Sequence, residues 1–436
     1  MLDAHPILER AQVIADVQIS GRLHAGEDSC FHGKGRTLIV SNFEVTVEKL
    51  VYGGDGLARL DGRVVFAPFV LPGERVRVQA EREKPGLIHG RTVEILEPSA
   101  GRVAAPCPVF GRCGGCHYQH AWYADQLAYK RAILEEELRR LGKIAPPDEI
   151  EIIAGEPWGY RNRVQLRVQN GKLGYLEMRS HKLCAIDGCP IASPKLNRTI
   201  QTLNAMLHDP RWPRMVRSLE LFTDETSVQL NLLETDRPVA RRFFEWCADM
   251  IPGLVEGALD YNGQYRVGRA SFFQVNRFLL HRLVDAALAG AEGSSAFDLY
   301  AGVGLFAPAL AAKFAQVTAV EAGTGAARDL QFNAERAGLA HVRAEARTVE
   351  EFLLEQERPA DFVLLDPPRA GLGKVVVRRL VELQPRQVAM VACDPATLAR
   401  DLAGLVAGGY GIVRMAMVDL FPQTYHLEAI VLLQRP

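Results

Sequence analysis

Between Phe43 and Pro98, short β-branched runs at Val45 to Val51, Val64 to Val70 and Val76 to Val78 alternate with Gly53-Gly54-Asp55-Gly56, Asp61-Gly62 and Pro72-Gly73. Strands this short, separated by turn-forming residues, predict a small OB-like β-barrel over 41–98. Trp122 to Leu141 has helical spacing instead, with Leu127, Leu134, Leu138 and Leu141 on one face and Gly142 as the residue that ends it. Glu135 with Arg139 and Glu136 with Arg140 are i,i+4 pairs for its wet face. From about Leu279, strand-like runs at Ala296 to Leu299, Val317 to Val320, Phe362 to Leu365, Gln387 to Ala392 and Ile412 to Val418 alternate with helical patterns. That rhythm predicts a parallel or mixed sheet covered by helices on both faces. The expected architecture is multidomain α/β: an extension over 1–40, the barrel over 41–98, a central α+β domain over 99–270 and a doubly wound α/β domain over 271–436.

Composition narrows the class. At 436 residues, 48% hydrophobic and 24% charged, the chain reads as an ordinary soluble protein of two to four domains. No secretory or transit leader is visible after Met1, and no run of about 18 apolar residues occurs. Leu402 to Val418 comes nearest and is broken by Gly408, Gly409 and Arg414. A cytoplasmic protein with no membrane association is expected, and no obligate protein partner is evident. A net charge of -1 gives no whole-chain argument for an acidic partner. The balance shifts only between Trp158 and Arg198, where Arg161, Arg163, Arg167, Lys172, Arg179, Lys182, Lys195 and Arg198 face Glu177 and Asp187 alone. Interleaved Trp158, Tyr160 and Tyr175 make this a candidate nucleic-acid surface, with rings to stack on bases and cations for phosphates.

Five motifs carry candidate chemistry. Asp298-Leu299-Tyr300-Ala301-Gly302-Val303-Gly304 follows an apolar strand and precedes a helical run, so its glycines let the backbone approach a nucleotide-like ligand. Glu321, at the end of the next strand, can accept hydrogen bonds from both ribose hydroxyls. Ala307 stands where a dinucleotide site prefers a third glycine, so adenosyl-methionine fits better. Asp366-Pro367-Pro368-Arg369 ends another strand with a stiff loop able to grip a planar base. Cys393, at the end of the following strand, is a candidate nucleophile. His426 and Glu428 alternate along a strand, share one face, and are candidate bases. Finally, Cys107, Cys113, Gly114, Gly115 and Cys116 form a compact thiol group that a fourth, distant cysteine would complete, Cys189 first and Cys184 second. Zinc and an iron–sulfur cluster both suit four cysteines.

Taken together, these motifs and their order resemble the RNA 5-methyluridine methyltransferase family over about residues 41–436, in particular its 23S ribosomal RNA branch. The resemblance implies an N-terminal TRAM barrel, a central RNA-binding domain with a [4Fe-4S] cluster and a C-terminal Rossmann-like domain that uses S-adenosyl-L-methionine. It implies Cys107, Cys113, Cys116 and Cys189 as cluster ligands, and Gln274 of Ser271-Phe272-Phe273-Gln274-Val275-Asn276 as a contact to cofactor and target. Tyr300, Gly302, Gly304 and Glu321 match the cofactor site, Asp366 the substrate loop and cofactor edge, Cys393 the nucleophile and Glu428 the base. The implied reaction methylates carbon 5 of a uridine in 23S RNA, flipped from a single-stranded loop, through a covalent bond to Cys393. The alternatives are a transfer-RNA enzyme of the same chemistry and a catalytically silent RNA-binding assembly factor. Asp394 replaces the family's usual Asn after the nucleophile, and its charge is expected to raise the thiol pKa. Leu305 replaces a polar residue that some members have in the cofactor loop.

Overall fold

A computed structural model of the protein describes residues 42–435, and the extension expected over 1–40 lies outside them. Strands β1 (Asn42–Leu50), β2 (Asp55–Leu60), β3 (Arg63–Pro68), β4 (Arg75–Lys84) and β5 (Leu87–Glu97) close into a barrel in the order β1-β2-β3-β5-β4. Val45, Val47, Val65, Val76 and Val78 fill its interior. Charged residues at the alternate positions pair on the outside, Arg75 and Arg77 both with Glu44 at 3.0 Å.

Helix α1 (Tyr123–Glu137) is shorter than its apolar spacing predicts. It widens into a π turn over Leu138–Gly142, and this shift makes Lys143 rather than Gly142 the left-handed residue that ends it, at φ 53°. Glu135 pairs with Arg139 at 3.2 Å as expected, whereas Arg140 turns to Glu137 and Glu136 reaches Lys49 on β1. The inward face of α1 carries Gln126 and Lys130, both fully buried. Lys130 Nζ donates to Asp419 Oδ1 at 2.6 Å and to the Phe421 carbonyl at 3.0 Å, while the Tyr123 hydroxyl donates to Asp419 Oδ2 at 3.0 Å.

After β6 (Glu151–Ile153), strands β7 (Arg163–Gln169), β8 (Lys172–Leu176) and β9 (Leu183–Ala185), helix α2 (Pro194–Met206), strands β10 (Val216–Thr223) and β11 (Val228–Thr235), helix α3 (Arg241–Met250) and β12 (Leu254–Val255) build the middle of the molecule. Its sheet runs β12-β11-β10-β7-β8-β9, with a separate hairpin of β13 (Leu259–Tyr261) and β14 (Tyr265–Val267). Leu196, Ile200 and Leu203 of α2 and Phe243 and Trp246 of α3 pack with Leu166, Leu219 and Leu221 of the sheet.

The last third contains α4 (Leu280–Ala287), β15 (Ser295–Leu299), α5 (Ala307–Ala311), β16 (Gln316–Val320), α6 (Thr324–Arg336), β17 (Val342–Glu345), α7 (Val349–Glu355), β18 (Phe362–Leu365), α8 (Gly373–Leu383), β19 (Gln387–Ala392), α9 (Pro395–Ala407), β20 (Gly411–Val418) and β21 (Glu428–Gln434). The sheet order is β17-β16-β15-β18-β19-β21-β20-β6, and β21 alone runs antiparallel to its neighbours. The eighth strand, β6, comes from far upstream, and α1 supplies Ile133 and Leu134 to the same apolar layer as Leu398 and Leu402 of α9. Among the described residues no helix is long and apolar enough to cross a membrane.

Removing one member of a buried ion pair leaves the other charge without compensation. Lys130→Met should therefore destabilise the protein by about 3–5 kcal/mol in denaturant unfolding. The double variant Lys130→Met/Asp419→Leu should recover most of that loss.

Candidate active site

All parallel strands of the large sheet end on one edge, where open α/β sheets bind their ligands. Because β21 runs backwards, its first residue also lies on that edge. The register pairs Ala392 with Ala429, so its continuation sets Glu428 opposite Cys393. A cavity of about 2150 Å³ opens above this edge and is also walled by the barrel and the middle sheet. Gln274, Tyr300, Gly302, Glu321, Asp366, Cys393 and Glu428 line it, as do Cys107, Cys113, Cys116 and Cys189.

The loop after β15 is wound tightly. Tyr300 is left-handed at φ 65°, and the Ala301 amide is held by the Val320 carbonyl at 3.0 Å. Glu321 accepts from the amides of Gly302 at 3.0 Å and Gly323 at 2.6 Å, which clamps this loop to the one after β16. A side chain on Gly302, at φ 57°, would project into open space, so the backbone is bared to whatever occupies the cavity. Gly304 does not line the cavity. At φ 89° its absent Cβ would fall 2.6 Å from Leu330 Cδ1, so this glycine serves the packing of α6 behind the loop. Gln274 is held in an extended segment by Asn162, whose Nδ2 donates to the Gln274 carbonyl at 3.2 Å and whose amide donates to the Val275 carbonyl at 2.9 Å. Beneath the wall lies Asp298, fully buried, with neither carboxyl oxygen hydrogen-bonded within the described residues. Burial, then the charges of Asp366 and Glu321, push it up to about 8. The bared loop and the doubly anchored carboxylate beside it suit the adenosine half of adenosyl-methionine.

Across the cavity, burial pushes Asp366 up to about 7. Glu428 is raised well above the usual carboxylate range by burial and then by Asp366, and Arg369 works against both effects. The Cys393 thiol is raised by burial and by Glu428, with Arg369 opposing and with Asp366 and Asp394 adding smaller increments. The direction expected from Asp394 is therefore present, but burial is the main cause. Asp394 itself caps α9, its Oδ1 accepting from Ala396 N at 3.0 Å and Thr397 N at 2.9 Å. His426 precedes β21 rather than lying within it. Burial and Arg369 hold it well below the usual histidine range, and its Nδ1 accepts from the Arg369 guanidinium at 3.3 Å. Arg369, which the sequence motif left without a role, is the cation that opposes the rise of both the thiol and the Glu428 carboxyl.

Cys107, Cys113, Cys116 and Cys189 line the same cavity. Cys113 is pushed up to about 12 by burial, and Cys189, Cys184 and Cys107 all lie within its electrostatic reach. The Cys189 sulfur accepts from the Ile191 and Ala192 amides and the Tyr175 hydroxyl. Cys184 is buried outside the cavity and takes the Arg112 guanidinium at 3.4 Å. Among the described residues no group of three or more His, Cys, Asp or Glu is arranged to hold a metal ion. Four thiols lining one cavity are the donor type that zinc or an iron–sulfur cluster takes.

The aromatic and basic surface expected between Trp158 and Arg198 is only partly available. Tyr160 is fully buried and donates to the Pro422 carbonyl at 3.0 Å, so it has no face for a base. Arg163 is buried over the Phe222 ring and donates to the Ser271 carbonyl at 2.9 Å. Arg167 pairs with Glu234, and Arg179 with Asp55. Packing, which local charge counting does not see, absorbs Tyr160 and Arg163, and ion pairs take up Arg167 and Arg179 at the surface. Arg161, Arg179 and Arg269 still line the cavity, joined by the half-exposed ring of Phe272.

An acid held protonated by folding ionises first in the unfolded chain, so it lowers stability as pH rises between the two pKa values. For Asp298 that window runs from about 4 to about 8, with a slope of up to about 1.4 kcal/mol per pH unit. Denaturant unfolding of the ligand-free protein should find Asp298→Asn increasingly more stable than wild type from pH 5 to 8, and level above that.

Comparison with known proteins identifies the family. Residues 254–436 match the family described as tRNA (Uracil-5-)-methyltransferase, and residues 36–93 match the TRAM domain. The 23S rRNA (uracil(1939)-C(5))-methyltransferase RlmD of Halomonas elongata is 34% identical over 90% of this chain and 89% of its own, and that of Chromohalobacter salexigens 35% identical over the same shares. An uncharacterized RNA methyltransferase of Aquifex aeolicus is 32% identical over 90% of this chain and 98% of its own. The solved structure of the Pyrococcus abyssi tRNA (uracil-54, C5)-methyltransferase, in complex with S-adenosyl-L-homocysteine, has the same fold. Its TM-score is 0.72 at 24% identity, covering 89% of this chain and 99% of that one. With the 34% and 35% identity to the two RlmD relatives sustained over nine-tenths of its length, the chain belongs to the S-adenosyl-methionine-dependent RNA (uracil-C5) methyltransferase family.

Proposed function

We propose that the protein methylates carbon 5 of a uridine in 23S ribosomal RNA, with Cys393 as nucleophile and Glu428 as base. The observation that carries this reading is the meeting of Cys393, Glu428 and Asp366 in one cavity with the Gly302 and Glu321 loops. The named relatives, at 34% and 35% identity, support the ribosomal substrate.

Carbon 5 of uracil is too electron-poor to attack a sulfonium unaided. Addition of the Cys393 sulfur to carbon 6 turns the ring into an enolate, in which carbon 5 is nucleophilic. The thiol is protonated at rest, so its proton must leave as the ring arrives. Of the carboxyl groups within its electrostatic reach, Asp366, pushed up only to about 7, takes that proton and leaves Glu428 for the later step, and the Arg369 charge favours the thiolate. Asp366, stiffened by Pro367 and Pro368, and the Gln274 amide would hold the imide edge and steady the oxygen charge. Bound adenosyl-methionine supplies the electrophilic methyl group that carbon 5 accepts. Glu428, having released its own proton to solvent by this step, then takes the carbon 5 proton, and Cys393 departs with its bonding electrons to leave 5-methyluridine. A stacked base cannot reach a recessed thiol, so the target is flipped out of a single-stranded loop.

Cys107, Cys113, Cys116 and Cys189 would hold a [4Fe-4S] cluster, and its role would be structural, cross-linking two distant segments of the RNA-facing wall. Anaerobically purified protein should carry about four iron atoms per chain, and Cys189→Ser should lose iron while Cys184→Ser keeps it.

Incubation with labelled adenosyl-methionine and unmodified 23S transcript should give 5-methyluridine on nucleoside mass analysis. The same product only from transfer RNA would move the substrate. Cys393→Ala should abolish turnover, by at least about 10³-fold, while RNA binding persists. Glu428→Gln should accumulate a covalent protein–RNA adduct on a denaturing gel, and its absence would overturn the assignment of the base.

A further inference from the structure

The barrel reaches the reacting groups through the loop that joins β1 to β2. Tyr52, Gly53 and Gly54 of this loop and Asp55, the first residue of β2, line the cavity. The Tyr52 hydroxyl donates to the backbone carbonyl of Cys393 at 3.2 Å. Its ring meets Tyr425 edge-on, with centroids 5.3 Å apart and planes at 87°, and Tyr425 in turn packs against His117 at 4.6 Å and His426 at 4.1 Å. The loop comes this close because Gly54 has no side chain: a Cβ there would fall 3.0 Å from the His117 ring. Asp55 anchors it to the middle of the molecule through Arg179 at 2.6 Å.

Cys393 lies where the β19 ladder has ended and α9 has not begun. The orientation of its peptide, and with it the direction of the sulfur, depends on what grips that peptide from outside. From this contact we infer that Tyr52 is a positioning residue for the nucleophile, through which the TRAM barrel takes part in the chemical step. Burial, and next the Asp394 charge, hold the phenol well above the usual tyrosine range, so it stays a donor across any practical assay pH. The contact also joins two tasks. An RNA that bears on the barrel loop bears at the same time on the alignment of the thiol.

The inference rests on Cys393 acting as nucleophile, and the test separates the two. Tyr52→Phe keeps the ring against Tyr425 and removes only the hydroxyl. One lost hydrogen bond to a positioned group should lower kcat about threefold to tenfold, with KM for RNA unchanged and the melting temperature lower by no more than about 3 °C. In a Glu428→Gln background the same substitution should slow adduct formation by the same factor. An unchanged adduct rate, or a fall in RNA affinity equal to the fall in rate, would overturn the positioning role. If Cys393→Ala is inactive while Tyr52→Phe matches wild type, this inference alone fails. If Cys393→Ala still transfers methyl groups, the reading beneath it fails.

Discussion

The site depends on one strand pairing. Strand β21 enters the large sheet against the direction of its neighbours, and its register with β19 sets Glu428 across from Cys393. In a wholly parallel sheet the start of that strand would lie at the far edge, a strand length from the thiol. The residues before it, Phe421 to Leu427, then have to cross the cavity edge. They do so in a turn with Gln423 at φ 70°, gripped from three sides. The Gln423 carbonyl accepts from the His117 and Tyr118 amides, Gln126 bonds both its backbone and side chain, and Tyr160 holds the Pro422 carbonyl.

Negative charge crowds this edge. Asp298, Glu321, Asp366, Asp394 and Glu428 converge there, and burial raises three of them well above an ordinary carboxylate. Carboxyl groups raised in this way can give or take protons near neutral pH, which the proposed reaction requires of this edge. Arg369 keeps that balance from tipping entirely to the neutral forms.

The sequence reveals the fold wherever a strand is apolar on both faces. Phe362–Leu365 and Gln387–Ala392 are bounded as their hydropathy predicts. Strand β17 (Val342–Glu345) is a polar edge and β6 (Glu151–Ile153) is three residues long, so neither leaves a periodic signal. The inward Lys130 and Gln126 were unreadable for another reason: their partners, Asp419 and Gln423, lie almost 300 residues away. At the site, the apolar pattern puts Cys393 after a strand and both His426 and Glu428 on one, and the structure has Cys393 after β19, Glu428 at the head of β21 and His426 before it. Tyr52 and Arg369 leave no such signal, because their contacts with this edge arise only when distant segments are brought together. The error at Tyr160 is the converse, since an aromatic in a basic run looks like a stacking platform until packing buries it.

The edge strand β6 has a consequence for how the molecule must be assembled. A large sheet whose eighth strand and one covering helix come from residues 123–153 is not complete in the segment from 271 onward. Cut away from its upstream partners, that segment would bare the backbone groups of β20 and the apolar flank of α9, a ready template for strands of other chains. During synthesis, α1 and β6 leave the ribosome some 250 residues ahead of the strands they will cover, so they must wait, unpaired, for almost the whole remaining chain.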